Sequence, residues 1–233
     1  ENTGSEARTL EMLSSFALGS LSPFSTGLAP ETLKIHRLRS TWSAEGRLVT
    51  EAAEDLQLEP SWKCYSANSV RFGSVGSFPV RGFVPFCAVE DTAHSVTWAA
   101  AAAQGSSWQM ELYRQDFGLS LSGGLADREF GAWCKTLAPG ACFTAPKAIV
   151  TAVRGGADTA AQVLAENARR AIEPLLPASE KTLPVLFNEF CSTWGKPTEE
   201  TVLRHVRALK GKNLGYYVID AGWYDDDAFE AAT

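Results

Sequence analysis

The chain has 233 residues, 45% of them hydrophobic, enough for one large domain or two small ones around a sizeable buried core. Its 21 basic and 27 acidic residues leave a net charge of -6, the wrong sign for gripping phosphate backbones, so no nucleic-acid partner is expected. No stretch reaches the roughly 18 apolar residues that a membrane span needs, and the alanine-rich run Trp98 to Ala103 is far shorter, so no membrane partner is expected.

The sequence opens Glu1, Asn2, Thr3 with neither an initiating methionine nor a basic and apolar signal segment, as a processed or excised chain would. Five cysteines (Cys64, Cys87, Cys134, Cys142, Cys191) stand far apart, odd in number and without a C-x-x-C pair. That pattern fits buried free thiols in a reducing, cytoplasmic setting better than a disulfide framework or a zinc site. Seven tryptophans in an acidic chain suit neutral sugars, whose apolar faces stack on rings while their hydroxyls seek carboxylates and amides.

From about residue 8 to residue 153, short alternating or apolar runs separated by Gly, Pro and Ser predict antiparallel strands. Candidates are Leu33 to Leu38, Val80 to Phe86, His94 to Ala100, Ser107 to Tyr113, Phe117 to Leu121 and Cys142 to Val153. Many short strands without intervening helices argue for a sandwich. Gly73, Gly76, Gly82, Gly123 and Gly124 are read as bends between the strands.

After Gly155 and Gly156 the period changes. Asp158 is read as an N-cap, with Ala160, Val163, Leu164, Ala168 and Ala171 on one face of a helix of about four turns. Pro174, Pro177 and Pro184 punctuate a connector. Leu183 to Asn188 then reads as a strand, Thr198 as the cap of a helix with Val202, Leu203, Val206 and Leu209 inward, Gly211 as its stop, and Tyr216 to Asp220 as a second strand. This is one βαβ unit. Its apolar strands point to a parallel sheet and end in Asn188 and Asp220, where barrels of repeated βα units carry their active-site face.

No Gly-x-Gly-x-x-Gly, Walker-type phosphate loop, Gly-x-Ser-x-Gly or His-Glu-x-x-His occurs. His36, His94 and His205 are scattered, with His205 on the polar side of its helix, so neither a cofactor nor a metal is expected. The richest local signal is Ile219-Asp220-Ala221-Gly222-Trp223: a carboxylate for sugar hydroxyls, a glycine for close approach and a ring for a wall. The same position equally suits Asp220 as the cap of a following helix or the partner of a basic neighbour. Asn188-Glu189-Phe190 through Trp194-Gly195 brings amide, carboxylate and aromatic groups to the same face, although Phe190 and Trp194 would also serve as loop packing. The run Arg37 to Arg47 reads as a solvated strand with surface ion pairs.

With these residues in place, the chain resembles glycoside hydrolase family thirty-six, the bacterial α-galactosidases or melibiases. The carriers are Arg39-Ser40-Thr41-Trp42-Ser43-Ala44-Glu45-Gly46-Arg47, Val80-Arg81-Gly82-Phe83-Val84-Pro85-Phe86, Leu119-Ser120-Leu121-Ser122-Gly123-Gly124, Leu186-Phe187-Asn188 and Val218-Ile219-Asp220-Ala221-Gly222-Trp223. The resemblance implies an N-terminal β-supersandwich (1–153), a helical linker (154–181) and the first two βα units of a truncated (β/α)8 barrel (182–233). It implies a retaining hydrolase of terminal α-linked galactose, with small oligosaccharides as substrate and a homo-oligomer through the sandwich. The nucleophile and acid/base are expected beyond Thr233, so no residue here inherits a catalytic role and the fragment alone is expected to be inactive.

By the same resemblance Asp220 holds sugar hydroxyls, Phe190 and Trp223 wall the pocket, and Asn188 joins them as a substrate-binding residue. Ala221 stands where the family's Asp-Asp-Gly-Trp motif has its second aspartate, and Phe190 where a tryptophan is common. Both departures bear on specificity. Glu189 or Asp225 is expected to compensate, or the substrate differs, as an N-acetylgalactosaminide or another α-glycoside would. A non-catalytic carbohydrate-binding sandwich is the competing class.

Overall fold

The computed structural model describes residues 1–24, 31–58, 65–115 and 118–224. The chain divides into two compact units, Glu1–Ala168 and Arg169–Thr233. In chain order the elements are β1 (Arg8–Leu10), β2 (Ser14–Leu21), β3 (Leu33–Ser40), β4 (Arg47–Ala52), β5 (Tyr65–Ser74), β6 (Gly82–Asp91), β7 (Val96–Ala103), β8 (Trp108–Gln115), β9 (Gly118–Leu125), α1 (Arg128–Gly131), β10 (Lys135–Leu137), β11 (Lys147–Arg154), α2 (Ala157–Ile172), β12 (Leu186–Asn188), α3 (Phe190–Thr193), α4 (Glu199–Leu209) and β13 (Tyr216–Val218).

The first unit is the expected sandwich. A five-stranded sheet of order β11-β7-β6-β3-β4 faces a four-stranded sheet of order β2-β9-β8-β5, every neighbouring pair antiparallel, and β1 pairs with β10 at one side. Side chains of both sheets fill the space between them: Ile35, Cys87, Val89 and Ala100 from one, Phe72, Trp108, Met110, Leu112, Leu119 and Leu121 from the other. Burying each large side chain of this kind contributes roughly 1.5–3 kcal/mol. Deep burial pushes the Cys87 thiol up to about 12, although neighbouring Arg37 works in the opposite direction. Cys134, Cys142 and Cys191 are exposed, against the expectation of buried thiols, because they lie outside the sheets' packed interior, and Cys64 lies outside the described residues.

The central strands β6 and β7 are covered on both faces, and their alternation shows it. Cys87 and Val89 enter the sandwich core, whereas Phe86, Ala88 and Ala99 join a second cluster with Ala160 and Leu164 of α2. Alanines on the outer face of β7 let the helix come close. Of the helical face expected from periodicity only Ala160 and Leu164 are buried; Val163, Ala168 and Ala171 are exposed. Asp158 lies inside the first turn rather than at the cap, where its charge favours the positive end of the helix dipole.

Expectations within the sheets change as well. Gly73, Gly123 and Gly124 sit within strands, not in bends. A Cβ at Gly123 would stand 2.8 Å from Met110 Cγ and 3.0 Å from Phe16 Cε1, so the missing side chain makes room for core residues. Nor is the Arg37 run wholly solvated. Arg37 is buried, its guanidinium 5.2 Å from the Phe72 ring and 5.5 Å from the Phe83 ring and paired with Glu51. A cation so desolvated needs both the carboxylate and the ring faces.

The second unit contains a parallel pair, β12 and β13, with register Leu186↔Tyr216 and Asn188↔Val218. Helix α4 begins as expected at Thr198, whose hydroxyl accepts from Thr201 N–H at 3.2 Å, and Gly211 follows it at φ +77°. Of its anticipated inward residues, Val202 and Leu209 are half-buried, while Leu203 and Val206 are exposed. His205 is not on a polar side: its Nδ1 lies 3.0 Å from Tyr217 Oη and its ring stands edge-on to Phe187. The imidazole supplies the aromatic contact that the aliphatic pattern assigned to its neighbours.

Candidate functional site

The paired strands β12 and β13 are three residues long each, and side-chain contacts fix their register. Phe187 stacks on Tyr217 with centroids 5.6 Å apart, and the ladder continues one step as Glu189 N–H donates to the Val218 carbonyl at 3.3 Å. Parallel pairing places both carboxyl ends on one side, so the residues that follow the strands meet there. Strand β13 stops at Val218, and Ile219 and Asp220 form its outgoing arm.

Asn188 and Asp220 do meet. Asn188 Nδ2 donates to Asp220 Oδ2 at 2.6 Å, while Asn188 Oδ1 accepts from Phe190 N–H at 2.9 Å. Asp220 Oδ1 accepts from Ala221 N–H at 2.8 Å. A carboxylate offers about four lone-pair directions, so two are used inside the protein and two remain for a ligand. Asn188 is exposed and Asp220 half-buried, an arrangement that holds the pair in place and leaves it reachable.

Behind them sits Glu189, which is fully buried. Its Oε1 accepts from Asp220 N–H at 3.0 Å, and its Oε2 accepts from the Thr193 hydroxyl. Burial, and then the negative charge of Glu189, hold the Tyr217 hydroxyl above its ordinary range. Glu189 therefore offers no free carboxylate beside Ala221, contrary to the expectation that it would compensate there, because both of its oxygens already accept hydrogen bonds within the protein. It anchors the backbone that carries Asp220, a role its place beside Asn188 gave no sign of. The other anticipated substitute, Asp225, lies outside the described residues.

The aromatic residues fall into two groups. Phe190 stands edge-on to Trp194 at 6.1 Å, and Trp223 edge-on to Tyr224 at 5.4 Å. Trp194, Trp223 and Tyr224 are largely exposed. The loops that carry them touch through main chain: a Cβ at Gly222, whose φ is +94°, would lie 1.7 Å from the Gly195 carbonyl oxygen. Only glycine permits that approach. Among the described residues no group of three or more His, Cys, Asp or Glu side chains is arranged to hold a metal ion.

No family profile matches the sequence, and no curated protein matches it. Solved structures do. An α-galactosidase from Lactobacillus brevis superposes with a TM-score of 0.71 at 18% identity over 95% of this chain and 27% of its own. A glycoside hydrolase family 36 α-galactosidase from Geobacillus stearothermophilus, in complex with raffinose, gives 0.73 at 16% identity over 96% of this chain and 28% of its own. The galactosidase domain of an α-galactosidase-sucrose kinase gives 0.70 at 16% identity, again over 95% and 28%. The chain has the fold of part of these α-galactosidases. It spans little more than a quarter of each, 27–28%. At such identities the likeness is one of fold, and antiparallel sheets make up most of it.

Proposed function

We propose that the chain is the N-terminal part of a retaining α-galactosidase: a β-supersandwich over 1–153, a helical linker over 154–181, and the first strands of a (β/α)8 barrel over 182–233. The observation that carries this reading is the Asn188–Asp220 hydrogen bond of 2.6 Å at the carboxyl ends of two parallel strands, in a fold shared with solved α-galactosidases. Asp220 takes the sugar-holding role, Asn188 orients it, and Phe190 and Trp223 wall the pocket. Solved relatives bind raffinose and stachyose, which supports small α-galactosyl oligosaccharides as the substrate class. The free thiols of Cys87, Cys134, Cys142 and Cys191 favour a reducing compartment.

A retaining mechanism needs two reachable carboxyl groups about 5 Å apart. Glu189 is sealed in by its own hydrogen bonds, so the nucleophile and acid/base belong to strands beyond Thr233 on this reading, and the chain alone is inactive. Ala221, half-buried beside Asp220, favours as a second reading an α-N-acetylgalactosaminidase, whose substrate differs at one hydroxyl. The test is to assay the complete enzyme on p-nitrophenyl α-galactoside and its 2-acetamido analogue. Hydrolysis of the first is expected, with Asp220→Asn lowering kcat/KM by about 10- to 150-fold through a lost charge-assisted hydrogen bond. Failure to cleave the first substrate overturns the galactosidase reading, and cleavage of the analogue alone establishes the second.

A further inference from the structure

We propose a second saccharide-binding site on the sandwich unit, in the cleft between the turn after β3 and the turn leading into β6, taking the end of an α-galactosyl oligosaccharide. The ligand class rests on the glycosidase reading above; the site itself rests on its own geometry. The cleft has a volume of about 480 Å³ and is lined by Ser40, Trp42, Glu45, Phe78, Arg81 and Gly82. It lies wholly within the first unit and includes neither Asn188 nor Asp220.

Two large rings stand open to solvent there, Trp42 at 95% exposure and Phe78 at 62%. Leaving an indole so exposed forgoes most of the stabilisation that burial would bring. The turn that presents it is nevertheless well made: Ala44 N–H donates to the Thr41 carbonyl at 2.9 Å and Ser43 adopts φ +60°. A ring held out on an ordered turn is a stacking platform for the apolar face of a sugar.

The polar groups complete the case. Ser40 is only 3% exposed and lines the cleft. Its hydroxyl can exchange a hydrogen bond with a ligand hydroxyl there. Glu45 has one oxygen occupied, Oε1 accepting from Ser43 N–H at 3.0 Å, and its other oxygen is open. Arg81 adds a guanidinium with five donors to the lining. One acid and one base cancel, which suits a neutral polyhydroxyl ligand better than a charged one.

The test is a titration of the 233-residue chain with raffinose, a trisaccharide ending in α-linked galactose, followed at the Trp42 indole N–H resonance. That signal is assigned with Trp42→Phe. A saturable millimolar shift is expected, weakened at least about ten-fold by Trp42→Ala and several-fold by Ser40→Ala, and unchanged by Asp220→Asn. Because Trp42 is exposed, an unaltered circular dichroism spectrum should accompany its replacement. No shift at about 100 mM raffinose, or undiminished binding in Trp42→Ala, overturns the site. So does a shift that follows protein concentration without sugar, which would assign the cleft to a second copy of the chain. Hydrolysis by the complete enzyme without a Trp42 shift removes this site and leaves the galactosidase reading standing; a Trp42 shift without hydrolysis does the reverse.

Discussion

Burying a carboxylate without partners costs several kcal/mol, and Glu189 meets that cost with the Asp220 amide and the Thr193 hydroxyl. Replacing it by alanine strands both donors, each worth about 1–3 kcal/mol. Glu189→Ala should therefore loosen the arm that carries Asp220, seen as faster amide exchange at Asp220 and Ala221, whereas Thr193→Val should do so more weakly. Two aspartates in the sandwich predict its acid limit. Burial works to raise the Asp91 carboxyl, but hydrogen bonds from Ser22 and His94 outweigh it; for Asp127 the Phe130 amide, Gln109 and Arg71 do the same. Both carboxyls end below their ordinary value, so the stability they give is fully present above about pH 4 and is lost as pH falls through their lowered values. Acid titration by circular dichroism should show the loss beginning below pH 4 or so, at lower pH in wild type than in Ser22→Ala. Neither carboxylate was legible as special in the sequence, because Ser22, Gln109 and Arg71 are brought to Asp91 and Asp127 from distant parts of the chain only by the fold.

Strands with alternating or continuous apolar runs were legible: β3, β6, β7, β8, β9 and β11 stand close to where the pattern puts them. Among the strands not singled out, β1, β2 and β10 break that pattern for physical reasons. Strand β2 carries register shifts between Ser14 and Phe16 and between Leu18 and Leu21, so its side chains do not keep a period of two. Strands β1 and β10 are three residues each and are held by their pairing. Helix α2 was found, but its face was overestimated, since periodicity reports which residues share a side and not how much of that side is covered. Its contact with β7 works because Ala99 and Ala160 are both small and fully buried. Ala160→Leu should push the helix off the sheet and lower the melting temperature of the first unit, an overpacking cost of about 1–3 kcal/mol, whereas Ala171→Leu on the same face should leave it unchanged.

At the scale of the molecule the two units differ in how they are stabilised. The first has a core of fully buried side chains from both sheets. In the second, no apolar side chain among the described residues is buried, and Leu183, Val185, Leu186, Leu203, Val206 and Ile219 are exposed. Hydrogen exchange on the isolated chain should accordingly show amides of β12 and β13 exchanging by small openings while those of β6 to β9 wait for global unfolding; equal protection would contradict this account. The βαβ grammar of this region was readable because apolar runs and a capped helix alternate there, as was the meeting of Asn188 with Asp220. The inward turn of Glu189 was not, since nothing in a linear sequence says which of two adjacent polar side chains will point away from water. The contact of Gly222 with the Gly195 carbonyl has one more consequence. A clasp made of peptide groups holds its two loops at a fixed spacing whatever rings they carry, so replacing Phe190 or Trp223 should alter the surface the loops present while their frame stays unmoved, and Gly222 itself admits no side chain.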